Sequence, residues 1–184
     1  LFLSIFLWYE SCMETKVALW SRRSFWGICA GYFAYAAYVS RAQFLMWHTD
    51  VAQGTYLVPP YSGIGYFFRY SFVHFWLPYV ISLFVAILFF AGARWLSKRR
   101  DGMLFEKEEL YFLAIGLFVS SHPGWIFYLL IVLSAYLLAT LIVTLAYNAH
   151  TRISFYYFWL PCAAITIALN AYLYQYAWYA NLLI

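Results

Sequence analysis

One short stretch, residues 92–112, carries half of the chain's charged side chains. Its sequence, GARWLSKRRDGMLFEKEELYF, holds nine of the 18 Lys, Arg, Asp and Glu residues. Guanidinium and ammonium groups bind phosphate, and each one near an anionic membrane surface contributes about 1 kcal/mol. The basic residues here, with a second pair nearer the N-terminus, are therefore candidates to bind lipid headgroups. These candidates are Lys98, Arg99, Arg100, Arg22 and Arg23.

A second interpretation makes the same stretch a solvated turn between two membrane helices. WLSKRR follows an apolar segment as a basic stop, and Asp101–Gly102 is a turn pair. The acidic run EKEE then begins the next helix, where carboxylates interact favourably with the helix dipole. This interpretation needs no bound ligand, and it places the stretch at a membrane boundary.

The other reactive residues are too scattered to predict a site. Cys12, Cys29 and Cys162 form no CxxC pair, so we interpret them as small apolar side chains. His74 lies in an apolar segment without a second histidine three or four residues away. We therefore predict no metal site, no catalytic residue set and no cofactor bound by this chain itself.

Composition decides which elements must position these residues. The chain has 184 residues, of which 66% are hydrophobic and 10% charged, whereas soluble domains are about 45–50% apolar and about 25% charged. A water-soluble fold of this composition would expose one large apolar patch. We therefore predict a single integral membrane domain, residues 1–184, with an all-α fold. Its expected partners are lipids and other membrane proteins, with no nucleic acid.

Five apolar segments predict a polytopic bundle, since a spanning helix needs about 20 mostly apolar residues. Residues 1–23 form an N-terminal anchor and polar segment, and the third span is short because SSHPG interrupts it. Gly27 and Gly31 form a GxxxG pattern that lets another helix approach closely, and Pro78 predicts a kink. The predicted spans are residues 24–47, 70–96, 106–121, 125–147 and 153–175.

Basic residues orient the predicted spans. Those near residues 16–23, 98–107 and 152 fall on one side of a five-span bundle, whereas Arg41 and Arg69 fall on the other. Because cytoplasmic and matrix loops carry the excess of Lys and Arg, the N-terminal segment is expected on that side. Arg41 then either extends to the headgroups or pairs with Asp50.

Two segments resemble the prepilin peptidases, which are polytopic membrane aspartyl proteases. TDVAQGTYLVPP, with Asp50, resembles their first aspartate motif, and GMLFEKEELYFLAIGLF resembles the Gly-x-Gly-Asp segment that opens a later short span. The resemblance covers roughly residues 40–170. It implies a catalytic dyad of Asp50 and Glu108, two carboxylates that share a proton. The Gly-x-Gly-Asp motif itself is replaced by Glu106, Lys107 and Glu108.

The chain also resembles the hydrophobic, aromatic-rich subunits of respiratory complexes that are encoded in mitochondrial genomes, especially those of protists. Tyr, Phe and Trp make up 25% of its residues, and QFLMWHTDVAQG and YYFWLP are similar to segments of cytochrome oxidase subunit three. This resemblance implies a non-catalytic subunit of a respiratory-chain complex or ATP synthase in the mitochondrial inner membrane. Such a subunit packs against other subunits and phospholipids such as cardiolipin. The alternatives are the peptidase, and a photosynthetic or secretion complex of a bacterial inner membrane.

Overall fold

The computed structural model describes residues 2–49, 55–99, 105–147, 154–176 and 179, with most side chains from residue 16 onward. A π-helical turn, Phe72–Trp76, joins two of its helices without a break. The described residues therefore form five continuous helices and no strand. In chain order the elements are α1 (Phe2–Thr49), a 3₁₀ turn (Thr55–Leu57), α2 (Ile64–Ser71), α3 (Leu77–Arg99), α4 (Lys107–Val119), α5 (Gly124–Tyr147) and α6 (Tyr156–Leu173).

Three of the described helices are long and apolar enough to cross a membrane. They are Ile64–Arg99, Gly124–Ala146 and Tyr156–Leu173, and they correspond to the predicted second, fourth and fifth spans. The predicted spans 24–47 and 106–121 fall on α1 and α4, which do not meet the same standard of length and apolarity. The all-helical fold, with three helices able to span a membrane, is thus confirmed for these residues, and the count of five spans is not confirmed.

Helix α1 continues through the boundary predicted after residue 23. It runs unbroken from Phe2 to Thr49, and its 48 residues rise about 72 Å at 1.5 Å per residue. That is more than twice the hydrocarbon thickness of about 30 Å. Helical hydrogen bonding can continue across a membrane surface. The polar residues of the N-terminal segment therefore do not end the helix.

Side-chain contacts fix the direction of α1 against the helix Ile64–Arg99. The hydroxyl of Ser40 lies 2.7 Å from that of Ser71 and accepts a hydrogen bond from Trp76 Nε1 at 3.1 Å. Nearer the start of α1, the rings of Tyr32 and Tyr79 are 5.3 Å apart. Since residue numbers fall along one helix as they rise along the other, the two helices run antiparallel.

The irregularity predicted at Pro78 takes the form of the π-helical turn just before it. The N–H of Leu77 donates to the carbonyl of Phe72, five residues back. Pro78 has no N–H for the carbonyl of His74, four residues earlier, and helices commonly adjust by local widening at such a point. The helix itself begins at Ile64, earlier than the predicted Tyr70.

The short helix α4 lies at the centre of the bundle. Its side chains from residue 108 to 118 are buried or half-buried, whereas α3, α5 and α6 present many exposed large apolar side chains. One side of α4 packs against α3 and α1. Here the ring of Tyr111 lies 5.1 Å from that of Phe90, and the ring of Phe118 lies 5.5 Å from that of Tyr32.

The other side of α4 approaches α5 closely at Gly116. A Cβ atom at this position would overlap the phenol of Tyr128 and lie 2.8 Å from its Cε2. Tyr128 is fully buried, and its hydroxyl donates a hydrogen bond to the carbonyl of Trp159 in α6 at 3.3 Å. One tyrosine thus links α4, α5 and α6, and the contact requires glycine in α4.

Candidate functional site

The acidic run begins a helix, as its sequence predicts. Helix α4 has Glu106 as its N-cap and Glu108 and Glu109 in its first turn. Glu106 and Glu109 form a capping box, in which the N–H of Glu106 donates to Glu109 Oε2 at 3.1 Å. Glu109 Oε1 accepts hydrogen bonds from Ser154 Oγ at 2.6 Å and from the N–H of Tyr156 at 2.9 Å. The buried carboxylate of Glu109 therefore joins the start of α4 to the start of α6.

Glu108 has a different environment from its neighbour. It is 9% exposed, and its Oε1 has no hydrogen-bond partner within the part of the chain that the structure describes. Residues three apart share a helix face, so Glu108 lies on the side of Tyr111, towards α3. Because a buried polar atom without a partner is costly, the Oε1 of Glu108 is the acidic oxygen in this turn that the described packing does not explain.

The basic candidates lie on two helices. Arg22 and Arg23 are exposed on α1, and Lys98 and Arg99 are exposed in the last turn of α3. The guanidinium carbon of Arg99 lies 3.9 Å above the ring centroid of Trp95, in the geometry of a cation–π contact. The remaining basic candidate, Arg100, and the acid Asp50 of the implied dyad lie outside the described residues.

A buried polar network at the α4–α5 turn was not predicted from the sequence. Asn170 Nδ2 donates to the carbonyl of Ser120 at 2.7 Å, and the hydroxyl of Tyr179 donates to Asn170 Oδ1 at 2.6 Å. A Cβ atom on Gly124 would overlap the Asn170 amide. A buried backbone carbonyl outside regular helical hydrogen bonding needs another partner, and the Asn170 amide supplies one to Ser120 in the SSHPG turn. The available signal was Asn170 itself, an amide within an apolar span.

The predicted GxxxG contact is not made by the described residues. Ideal Cβ positions on Gly27 and Gly31 have no atom of another element within 4 Å. Beside them on α1, Tyr35 and Tyr38 are 59% and 70% exposed. The buried side of α1 is a different one, formed by Ser21, Phe25, Cys29 and Ala36. Helix α1 therefore packs against the bundle with one face, and the described residues leave its small-residue face uncovered.

Neither the donor atoms nor the comparisons assign a chemistry to the chain. Within the described ranges, no group of three or more His, Cys, Asp and Glu residues could hold a metal ion. His74 lies exposed in the π-helical turn, its ring 4.3 Å from that of Tyr70. Comparisons with known proteins find no matching family model, no matching curated protein and no matching solved structure.

Proposed function

We propose that the chain is a non-catalytic integral membrane subunit, which binds a larger complex through the uncovered face of α1. The observation that carries this proposal is the open space around Gly27 and Gly31. Within a bilayer, lipid tails are as apolar as side chains, so helices associate where small residues let their backbones approach closely. This face has the composition of a helix–helix contact, and no described part of the chain occupies it.

The exposed tyrosines beside this face support the same proposal. Tyr35 and Tyr38 follow Gly31 by one and two turns, and most of each side chain is uncovered. A phenol hydroxyl away from water is costly unless it forms a hydrogen bond, and hydrocarbon offers no partner. A neighbouring protein helix supplies such partners, whereas lipid tails do not.

The aromatic content supports a respiratory membrane as the location of the proposed complex. An aromatic share of 25% exceeds what two interfacial belts of Tyr and Trp require, and the mitochondrially encoded subunits that the chain resembles share this excess. The proposed role is structural: packing against other subunits and phospholipids in the mitochondrial inner membrane. The basic N-terminal part of α1 and the basic C-terminal end of α3 would then lie on the matrix side.

Bulky substitutions on the free face of α1 test this proposal. Gly27→Leu and Gly31→Leu should abolish co-purification of partner subunits after gentle detergent extraction, because the added side chains prevent close approach of another helix. Gly92→Leu is the matched control, since Gly92 is also helical with nothing within 4 Å. Equal recovery of partners by all three variants would contradict the assignment of this face.

A second candidate function is a membrane peptidase of the prepilin type. The observation that favours it is the buried Glu108 at the start of α4, whose Oε1 has no hydrogen-bond partner among the described residues. A carboxyl group removed from water is a candidate for proton transfer in catalysis. The proposed mechanism uses Glu108 and Asp50 as the pair of acids that activates a water for peptide hydrolysis.

The two functions make opposite predictions for acid variants. If the chain is a peptidase, Glu108→Gln and Asp50→Asn each abolish cleavage of a prepilin-like membrane substrate by the purified chain, while Glu109→Gln acts only through stability. If the chain is a non-catalytic subunit, the purified wild type cleaves no such substrate, and Glu108→Gln leaves partner binding unchanged. Cleavage that persists in both single acid variants excludes the dyad.

A further inference from the structure

We infer that the last two turns of α3 form a binding site for the headgroup of an anionic phospholipid. Arg94, Trp95, Lys98 and Arg99 are all exposed there. Residues four apart are neighbours on a helix surface, so Arg94–Lys98 and Trp95–Arg99 form two adjacent rows. The inference concerns a different helix from the α1 face and does not depend on the proposed function.

The packing of α3 turns this basic face away from the bundle. Opposite Trp95 and Arg99 on the same turns, Ser97 is buried and its hydroxyl donates to the carbonyl of Phe105 at 3.4 Å. The helix Ile64–Arg99 is long and apolar enough to cross a membrane, so its last turns lie where the span reaches the headgroups. Trp95, which is 54% exposed, is the type of residue found at that level.

Glu108 and Glu109, in the first turn of α4, do not neutralise this positive charge. Phe105, beside Ser97, leads directly into the three acids that begin α4. The carboxylate oxygens of Glu109 accept hydrogen bonds from the backbone of Glu106 and from residues at the start of α6, and Glu108 is buried. The described structure gives Arg94, Lys98 and Arg99 no ion pair.

The dipole of α3 neutralises only part of the positive charge of these side chains. It places about half a negative charge at the C-terminus of α3, against three cationic side chains. A phosphate group supplies the missing charge and accepts the hydrogen bonds of two guanidinium groups. In a membrane, the phosphate held at this depth is that of an anionic phospholipid, with the exposed indole of Trp95 beside the headgroup.

Lipid titration by native mass spectrometry tests the site. The full chain in detergent is titrated with phosphatidylglycerol against phosphatidylcholine, and bound lipids are counted. Each of Arg94→Gln, Lys98→Gln and Arg99→Gln should weaken phosphatidylglycerol binding about fivefold, and the triple variant about a hundredfold. The control is Arg41→Gln with Arg69→Gln, which removes charges on α1 and α2 and should leave binding within about twofold.

Three results would overturn the assignment. They are unchanged phosphatidylglycerol binding by the triple variant, equal loss in the control, and displacement of the lipid by millimolar inorganic phosphate, which would make the site one for small anions. Folding is checked independently, because Cys29 and Cys162 are buried and free. Both should resist a thiol reagent in every variant that enters the comparison.

Discussion

The contact between Gly116 and Tyr128 gives the sharpest test of the packing around α4. In Gly116→Ala the new methyl group overlaps the Tyr128 phenol. The ring cannot move aside easily, because Tyr128 is fully buried and its hydroxyl is bound to the Trp159 carbonyl. Overpacking of this kind costs about 1–3 kcal/mol, and loss of the hydrogen bond adds about 1 kcal/mol.

Helix propensity acts in the opposite direction and sets the expected net effect. Replacing a helical glycine by alanine gains about 0.5–1 kcal/mol. Gly116→Ala should therefore lower the free energy of unfolding by about 1–3 kcal/mol. Gly92→Ala is the matched control, because nothing lies within 4 Å of the added atom, and it should be neutral or stabilising by up to about 1 kcal/mol.

Unfolding of the purified chain in mixed micelles measures both variants. The readout is reaction of the buried thiols of Cys29 and Cys162 with a thiol-reactive dye, in a Cys12→Ala background. Tyr128→Leu removes the ring atoms that the methyl group meets, so the double variant should show a favourable coupling of about 1 kcal/mol or more. If Gly116→Ala is as stable as Gly92→Ala, the close approach of α4 and α5 is refuted.

Three further predictions concern the polar contacts that hold the helix ends. Asn170→Ala removes the amide that joins the Ser120 carbonyl to the Tyr179 hydroxyl. We expect a loss of about 1–3 kcal/mol in micelle unfolding, and no loss for the exposed Gln175→Ala. Glu109→Ala removes the acceptor that joins α4 to α6; amide hydrogen exchange at Tyr156 should accelerate at least tenfold, and unchanged exchange would contradict the cap. Burial, and to a smaller extent the neighbouring Tyr174, raises the pKa of Tyr179 from 10.0 to about 12. Since the fold favours the protonated phenol, the contribution of Tyr179 to folding stability is complete below pH 10 and is lost as the pH rises through 12. Tyr179→Phe should flatten that part of the stability–pH curve.

The sequence predicted the helices best where local chemistry decides them. SSHPG predicted the break after the third segment, and α5 begins at Gly124, one residue before the predicted start. The acidic run predicted the start of α4, because carboxylates suit the first turn of a helix. Long apolar segments are read from composition alone, and three of them are helices able to span a membrane.

The central position of α4 could not be predicted, because it depends on contacts between distant residues. The shortest predicted span is the most buried helix, since Gly116 admits Tyr128 from α5 and Glu109 binds the start of α6. Nothing in the local sequence of α4 encodes those partners. The GxxxG pattern shows a different limit. It predicts a helix–helix contact but does not say whether the second helix belongs to the same chain.

The state of the chain in its native membrane tests the central claim most directly. Gentle detergent extraction, a native gel and mass spectrometry of the band that contains the chain show whether it is part of a complex. The account predicts a band of several hundred kilodaltons that also contains subunits of an oxidoreductase or a synthase, and its loss in Gly31→Leu. A wild-type chain that migrates alone, or with pilin-like substrates, would contradict the account and favour the peptidase.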